Sequence, residues 1–167
     1  FFDSDVAGSQ YRGQGNHQLA VADVDGDRKD EIIYGAMAID DNGAALWNSD
    51  LKHGDAMHVT DHIPSRPGLE KFGVHEDFRN NGGVGSSMLD ARTGEGIWST
   101  PSTRDIGRGI AIDIDPRYPG SEAWAASSNN LYSATGELIG TRRPGPVNGG
   151  IWWDGDLLRE LNDGRTI

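Results

Sequence analysis

Carboxylates crowd one short stretch of this 167-residue chain, Asp23-Val24-Asp25-Gly26-Asp27-Arg28-Lys29-Asp30-Glu31. Asp23, Asp25, Asp27 and Glu31 take relative positions one, three, five and nine, and Lys29 at seven can add its backbone carbonyl. Side chains at odd positions of a tight loop converge on one point, as a hard cation needing six or more oxygens at about 2.3–2.6 Å requires. The stretch reads as a calcium site. It is not an EF-hand, because Arg28 and Tyr34 stand where that loop needs Gly and Glu. Its flanks, Leu19-Ala20-Val21-Ala22 and Ile32-Ile33-Tyr34, are apolar runs of strand length rather than amphipathic helices.

The acidic pattern returns three times. Asp61 to Glu70 has Ile63 where the second acid should be and is the weakest metal candidate. Asp113, Asp115 and Glu122 keep enough oxygens for a second cation, or for a structural turn. Asp154, Asp156 and Glu160 form a degenerate fourth copy.

Ahead of these loops stand residues of divergent chemistry: His17 before Asp23, Asp55 before Asp61, Arg108 before Asp113 and Asn148 before Asp154. His53 and Asp55, in His-Gly-Asp, alternate towards one face, and Glu76 follows in the same unit. A structural repeat would put like residues at like places, so this divergence is what a site grafted onto a repetitive frame produces. His17, His53, Asp55 and Glu76 make a mixed nitrogen and oxygen set able to hold a divalent cation with open positions. By ligand preference alone, histidine suits zinc or manganese better than calcium. Arg108 beside the ion would grip a ligand carboxylate through paired hydrogen bonds. His58, His62 and His75 are expected to be structural.

The elements that must position these groups also repeat. Each acidic loop is followed by a short apolar segment, and in the first three units by a hairpin signal and a closing strand. The signals are Ile39-Asp40-Asp41-Asn42-Gly43, Leu89-Asp90-Ala91-Arg92-Thr93-Gly94 and Tyr132-Ser133-Ala134-Thr135-Gly136. The units span approximately 11–50, 51–101, 102–144 and an incomplete 145–167. Four short strands recurring every 40–50 residues or so are the signature of propeller blades. We therefore expect an all-β fold, a partial β-propeller of three to four blades. Trp47 and Trp98, each four residues after a turn glycine, are expected to pack between blades. An open array leaves an edge and an apolar face bare. The remaining blades of a larger ring are thus expected partners, and Gly164 to Ile167 fall part way through a unit.

Composition narrows the class of partner. A net charge of −11 argues against a nucleic-acid groove, which needs a lysine and arginine excess. Twenty-four glycines, about twice the usual share, suit tight turns, and no apolar run reaches the ~20 residues of a membrane span. The chain has no cysteine, so neither disulfide nor thiolate-metal chemistry is available. Phe1-Phe2-Asp3-Ser4-Asp5 is an unusual natural start and suggests a processed or excised piece.

Gly13-Gln14-Gly15-Asn16-His17, His53-Gly54-Asp55-Ala56-Met57-His58, Val74-His75-Glu76, Asp115 to Gly120 and Trp152 to Glu160 resemble family 11 polysaccharide lyases, the rhamnogalacturonan lyases. The likeness runs from about Tyr11 to the end. It implies an eight-bladed propeller stabilised by several calcium ions. It also implies calcium-dependent β-elimination at the rhamnose–galacturonate bonds of rhamnogalacturonan I, a pectic polysaccharide, leaving unsaturated galacturonate ends. On this match His17, His53, Asp55 and Glu76 would surround an active-site calcium, with His53, Asp55 and Arg108 as the catalytic group. Arg108 and Asn148 would contact substrate. A polymer substrate implies a secreted or extracellular protein. The competing expectation is a calcium-stabilised propeller that only binds carbohydrate or protein, as in adhesion repeats sharing this loop type.

Overall fold

In a computed structural model, residues 2–156 and 158–162 are described. Phe1, Leu157 and residues 163–167, where the expected part-unit ends, lie outside the described residues. The first sheet is a meander of β1 (Ala20–Ala22), β2 (Glu31–Tyr34), β3 (Met37–Ile39) and β4 (Ala45–Asn48). The second contains β5 (Met57–Thr60), β6 (Glu70–Val74), β7 (Val84–Asp90) and β8 (Gly96–Pro101). The third contains β9 (Gly109–Ile112), β10 (Glu122–Ala125), β11 (Leu131–Tyr132) and β12 (Leu138–Gly140). A two-stranded sheet of β13 (Gly149–Ile151) and β14 (Glu160–Asn162) completes the described residues. The registered pairs between these strands are antiparallel.

Burial follows from where each strand sits. Along β2, Glu31 and Ile33 are buried while Ile32 and Tyr34 are exposed, the alternation of a sheet covered on one face. β6, β9 and β10 are buried at every residue, as strands covered on both faces must be. Val24, Ile33, Ala38 and Trp47 of the first unit pack on Met57 and Ala91 of the second. Phe72, Val74 and Met88 pack on Ala111, Ala123 and Ala125 of the third. Ile110, Ile112 and Trp124 meet Val147 and Leu161 of the fourth. Sheet thus lies on sheet.

The expectation of a β-propeller is corrected by this architecture. Among the described residues there are four small antiparallel sheets, none of them closed, and they stack in a layered, sandwich-like way. The all-β part of the expectation agrees with the fold; the ring and the missing blades as partners do not. A repeat period specifies the size of one meander and says nothing of closure. Face-to-face burial, which depends on the whole set of sheets, decides that.

A shared device joins neighbouring sheets. Trp47 Nε1 donates to Ala91 O at 2.8 Å, and Trp98 Nε1 donates to Ala134 O at 2.8 Å. Each carbonyl belongs to the hairpin turn of the next unit, whose glycine seats the indole. A Cβ on Gly94 would come within 2.6 Å of Trp47, and one on Gly136 within 2.6 Å of Trp98. Both glycines also have positive φ, 73° and 87°, so turn geometry and close approach require the same residue.

Candidate cation site at the strand entrances

Three backbone segments meet where the first strands of the first two units begin. Asn16 and Gly54 form a parallel bridge, and His17 N donates to Gly54 O at 3.3 Å. Glu76 N donates to His53 O at 3.1 Å and Val74 N to Ala56 O at 3.0 Å. The glycine of His-Gly-Asp is needed for this closeness, since a Cβ on Gly54 would lie 2.1 Å from Val74 O. Residues distant in sequence thereby reach one mouth.

Ligand atoms of His17, His53, Asp55 and Glu76 all lie within 4.8 Å of one another. His17 Nε2 is 3.2 Å from Asp55 Oδ1 and 3.4 Å from His53 Nε2, and His53 Nε2 is 3.8 Å from Glu76 Oε2. His53 Nδ1 faces Gly15 O at 2.7 Å; a carbonyl can only accept, so Nδ1 carries the proton and Nε2 offers its lone pair to the cluster. Arg108 Nη1 donates to Asp55 Oδ2 at 3.3 Å and to Gly107 O at 2.6 Å, with its side chain 57 % exposed. The guanidinium therefore stands at the rim.

Glu76 is pushed above the usual carboxylate range, chiefly by burial and then by Asp55 and Asp105. Packing negative groups together without a counter-ion disfavours their charged forms, which a divalent cation would reverse. The set fits a cation by donor count, by mutual distance and by this electrostatic demand. Asn148 lies exposed directly before β13.

The acidic loops divide into those that converge and those that do not. Asp23, Asp25 and Asp27 present oxygens within 4.8 Å of one another, as do Asp27, Glu31 and Asp41. Gly26 and Arg28, both left-handed at φ 87° and 73°, curl the loop so that Asp23 accepts from Gly26 N at 2.7 Å and Arg28 N at 3.0 Å. Lys29 contributes its ammonium, 2.9 Å from Asp41 and 3.3 Å from Asp27, and so holds Asp41 below the usual carboxylate range. Asp41 had no signal beyond its place in a hairpin turn. Asp154, Asp156 and Glu160 also gather within 4.8 Å, although the sequence reads as a degenerate copy there.

In the third loop Asp113, Asp115 and Glu122 are not gathered in this way among the described residues. Arg117 pairs with Asp115 and lowers it to about 2. Glu122 Oε2 accepts from Ile114 N at 3.0 Å and Asp115 N at 2.9 Å. The loop-ending glutamates share this behaviour. Glu31 takes Val24 N at 2.8 Å, Glu70 takes His62 N and Ile63 N at 3.0 and 2.9 Å, and Glu160 takes Trp153 N at 2.8 Å. Each is a staple across its own loop. Glu31 Oε1 and Glu122 Oε1 are buried with no protein partner.

His62 and His75, expected to be structural, are buried, and His58 is partly buried. His62 Nδ1 lies 2.8 Å from Ser121 Oγ, tying the second loop to the third, and His75 Nε2 lies 2.9 Å from Ser87 Oγ.

The family model for "Rhamnogalacturonan lyase family 11, C-terminal domain" matches residues 1–167. The chain is 54 % identical over 166 residues to rhamnogalacturonan endolyase YesW of Bacillus subtilis (strain 168), covering 99 % of this chain and 26 % of that protein. It is 52 % identical over 170 residues to rhamnogalacturonan exolyase YesX of the same organism, covering 97 % and 28 %. The solved structure of the Bacillus licheniformis rhamnogalacturonan lyase PL11 aligns with a TM-score of 0.92 at 56 % identity, over 97 % of this chain and 27 % of that one. The chain thus spans about a quarter of the length of the curated relatives it matches.

Proposed function

The chain belongs to rhamnogalacturonan lyase family 11, and from that premise we propose that it carries the cation-binding part of a polysaccharide lyase site acting on rhamnogalacturonan. The observation that carries the reading is the convergence of His17, His53, Asp55 and Glu76 beside Arg108. We further propose calcium as the ion, the rhamnose–galacturonate bond of the pectic backbone as the target, and a location outside the cell, where such a polymer is met.

The chemistry asks for charge stabilisation. The hydrogen on C5 of a uronate is weakly acidic, and its loss places enolate-like charge on the adjoining carboxylate. A bound divalent cation would supply Lewis-acid stabilisation of that carboxylate. Within the chain, Asp55 and Glu76 would supply the negative field that retains an ion, and His17 and His53 would offer ring nitrogens as ligands. Arg108, donating to Asp55 yet exposed at the rim, would grip the uronate carboxylate through its paired N–H donors. A base takes the C5 proton, and the O4 substituent then departs with the C4–O4 electron pair, leaving a C4–C5 double bond without water attack.

Ultraviolet absorbance of unsaturated uronate, followed with the full-length protein on rhamnogalacturonan, tests this directly. A rise with calcium that chelator removes, and that is absent on polygalacturonan, is expected. No rise on either polymer, with protein folded and loaded, would refute the lyase reading in favour of a binding module.

A further inference from the structure

We propose that Gln14 and Gly15 are positioning residues that fix the tautomer and direction of His53. The proposal rests on the cation-site reading for its consequence, though not for its geometry.

A neutral imidazole binds an ion through the nitrogen that lacks a proton, and the partner of the other nitrogen decides which one that is. For His53 that partner is Gly15 O, 2.7 Å from Nδ1. Two contacts hold this carbonyl in place. Gly15 lies close against the Tyr34 ring, where a Cβ would come within 2.4 Å of Cε1 and 2.7 Å of Cζ. The carbonyl just before it, Gln14 O, accepts from Ala36 N at 2.7 Å. The segment is thus clamped to the first sheet.

Gln14 then clamps the same segment to the chain that supplies the ring. Its side chain is fully buried, and both ends of the amide are used. Oε1 accepts from Lys52 N at 3.0 Å, one residue before His53, while Nε2 donates to Asp50 Oδ1 at 3.1 Å and Gln10 O at 3.2 Å. Acceptor and ring are therefore held from both sides. A buried amide with its hydrogen bonds satisfied resists displacement, because any shift strands polar groups away from water. Such outer partners are commonly worth about 10- to 100-fold in metal affinity.

The test uses the full-length protein with 15N-labelled histidine, its His53 signals assigned by their loss in His53→Gln. Long-range proton–nitrogen spectra should show the Nδ1–H tautomer with chelator and with calcium. Gly15→Ala, whose methyl must displace either the Tyr34 ring or the carbonyl, should lose that single tautomer. Its calcium affinity, read from the His17 and His53 resonances during titration, should fall about 10- to 100-fold. Gln14→Leu should do the same. Gly15→Ala combined with Tyr34→Ala removes the clash while keeping the Gln14 O–Ala36 N bond and the Gln14 side chain, and should recover part of both readings, which a general loss of folding would not. An Nε2–H tautomer in the unaltered protein, or Gly15→Ala with tautomer and affinity intact, would overturn the proposal. So would a double variant that folds but is no better than Gly15→Ala alone. If calcium never perturbs these rings while the tautomer follows the variants as stated, the cation reading fails and the positioning role stands.

Discussion

Asp55 faces three other groups of the site: His17 at 3.2 Å, Arg108 at 3.3 Å, and Glu76, which burial first and Asp55 next push upward. Asp23, by contrast, spends its oxygens on Gly26 and Arg28 of its own loop. Asp55→Ala is therefore expected to lower lyase turnover at least about 100-fold while changing stability by less than about 1 kcal/mol. Asp23→Ala should lower the melting temperature and its response to calcium while retaining activity. Equal melting losses in the two variants would undo this division. His62 makes a separate prediction about acid. Burial lowers its folded pKa to about 4 from 6.5, so the unfolded chain takes up the proton first as pH falls. The stability it contributes is complete above pH 6.5 and is lost as pH falls through about 4, to roughly 3 kcal/mol in all. Burial moves Glu70 the opposite way, so the comparison with His62→Gln isolates the imidazole. Urea midpoints from pH 7 to 4 should fall less steeply in the variant, and parallel profiles would contradict the assignment.

The tryptophan of each closing strand couples elements that would otherwise slide. Trp98 lies between Phe72 of its own sheet, 6.2 Å between ring centroids, and Tyr132 of the next at 5.8 Å, and its indole N–H reaches Ala134 O. Trp98→Phe keeps the stack and deletes the donor. The expected cost is about 1–2 kcal/mol in denaturant unfolding, because the turn carbonyl loses its partner. An unchanged midpoint would mean that water takes the donor's place. At this scale the sequence was well read: a turn glycine followed four residues later by tryptophan predicted packing between units. It did not predict that the glycine of the following unit forms the seat, since that contact joins residues more than 35 positions apart.

Across the whole molecule, a net charge of −11 is concentrated partly in loops whose carboxylates face one another. Calcium should therefore raise the melting temperature of the protein and chelator lower it. One saturated site at a hundred times its dissociation constant contributes about 2.7 kcal/mol. Sodium chloride at matched ionic strength should reproduce little of this shift, because screening does not coordinate. A match between the two salts would argue for general charge repulsion in place of specific loop sites.

The sequence alone determined what depends on neighbours along the chain: short strands, turn positions, the acidic spacing of Asp23, Asp25 and Asp27, and the divergent residues His17, Asp55 and Arg108. Those follow from period, side-chain type and backbone preference. Tertiary structure decided that the sheets stack in layers without the expected ring. It also decided that Asp41 joins the first loop, that the fourth loop gathers its carboxylates, and that Glu122 staples a loop whose Asp115 is held by Arg117. Each of these turns on where one oxygen or one sheet face lies relative to a partner distant in space, or on a backbone curl that residue type does not dictate. Spacing encodes which groups are offered. Packing decides which of them meet.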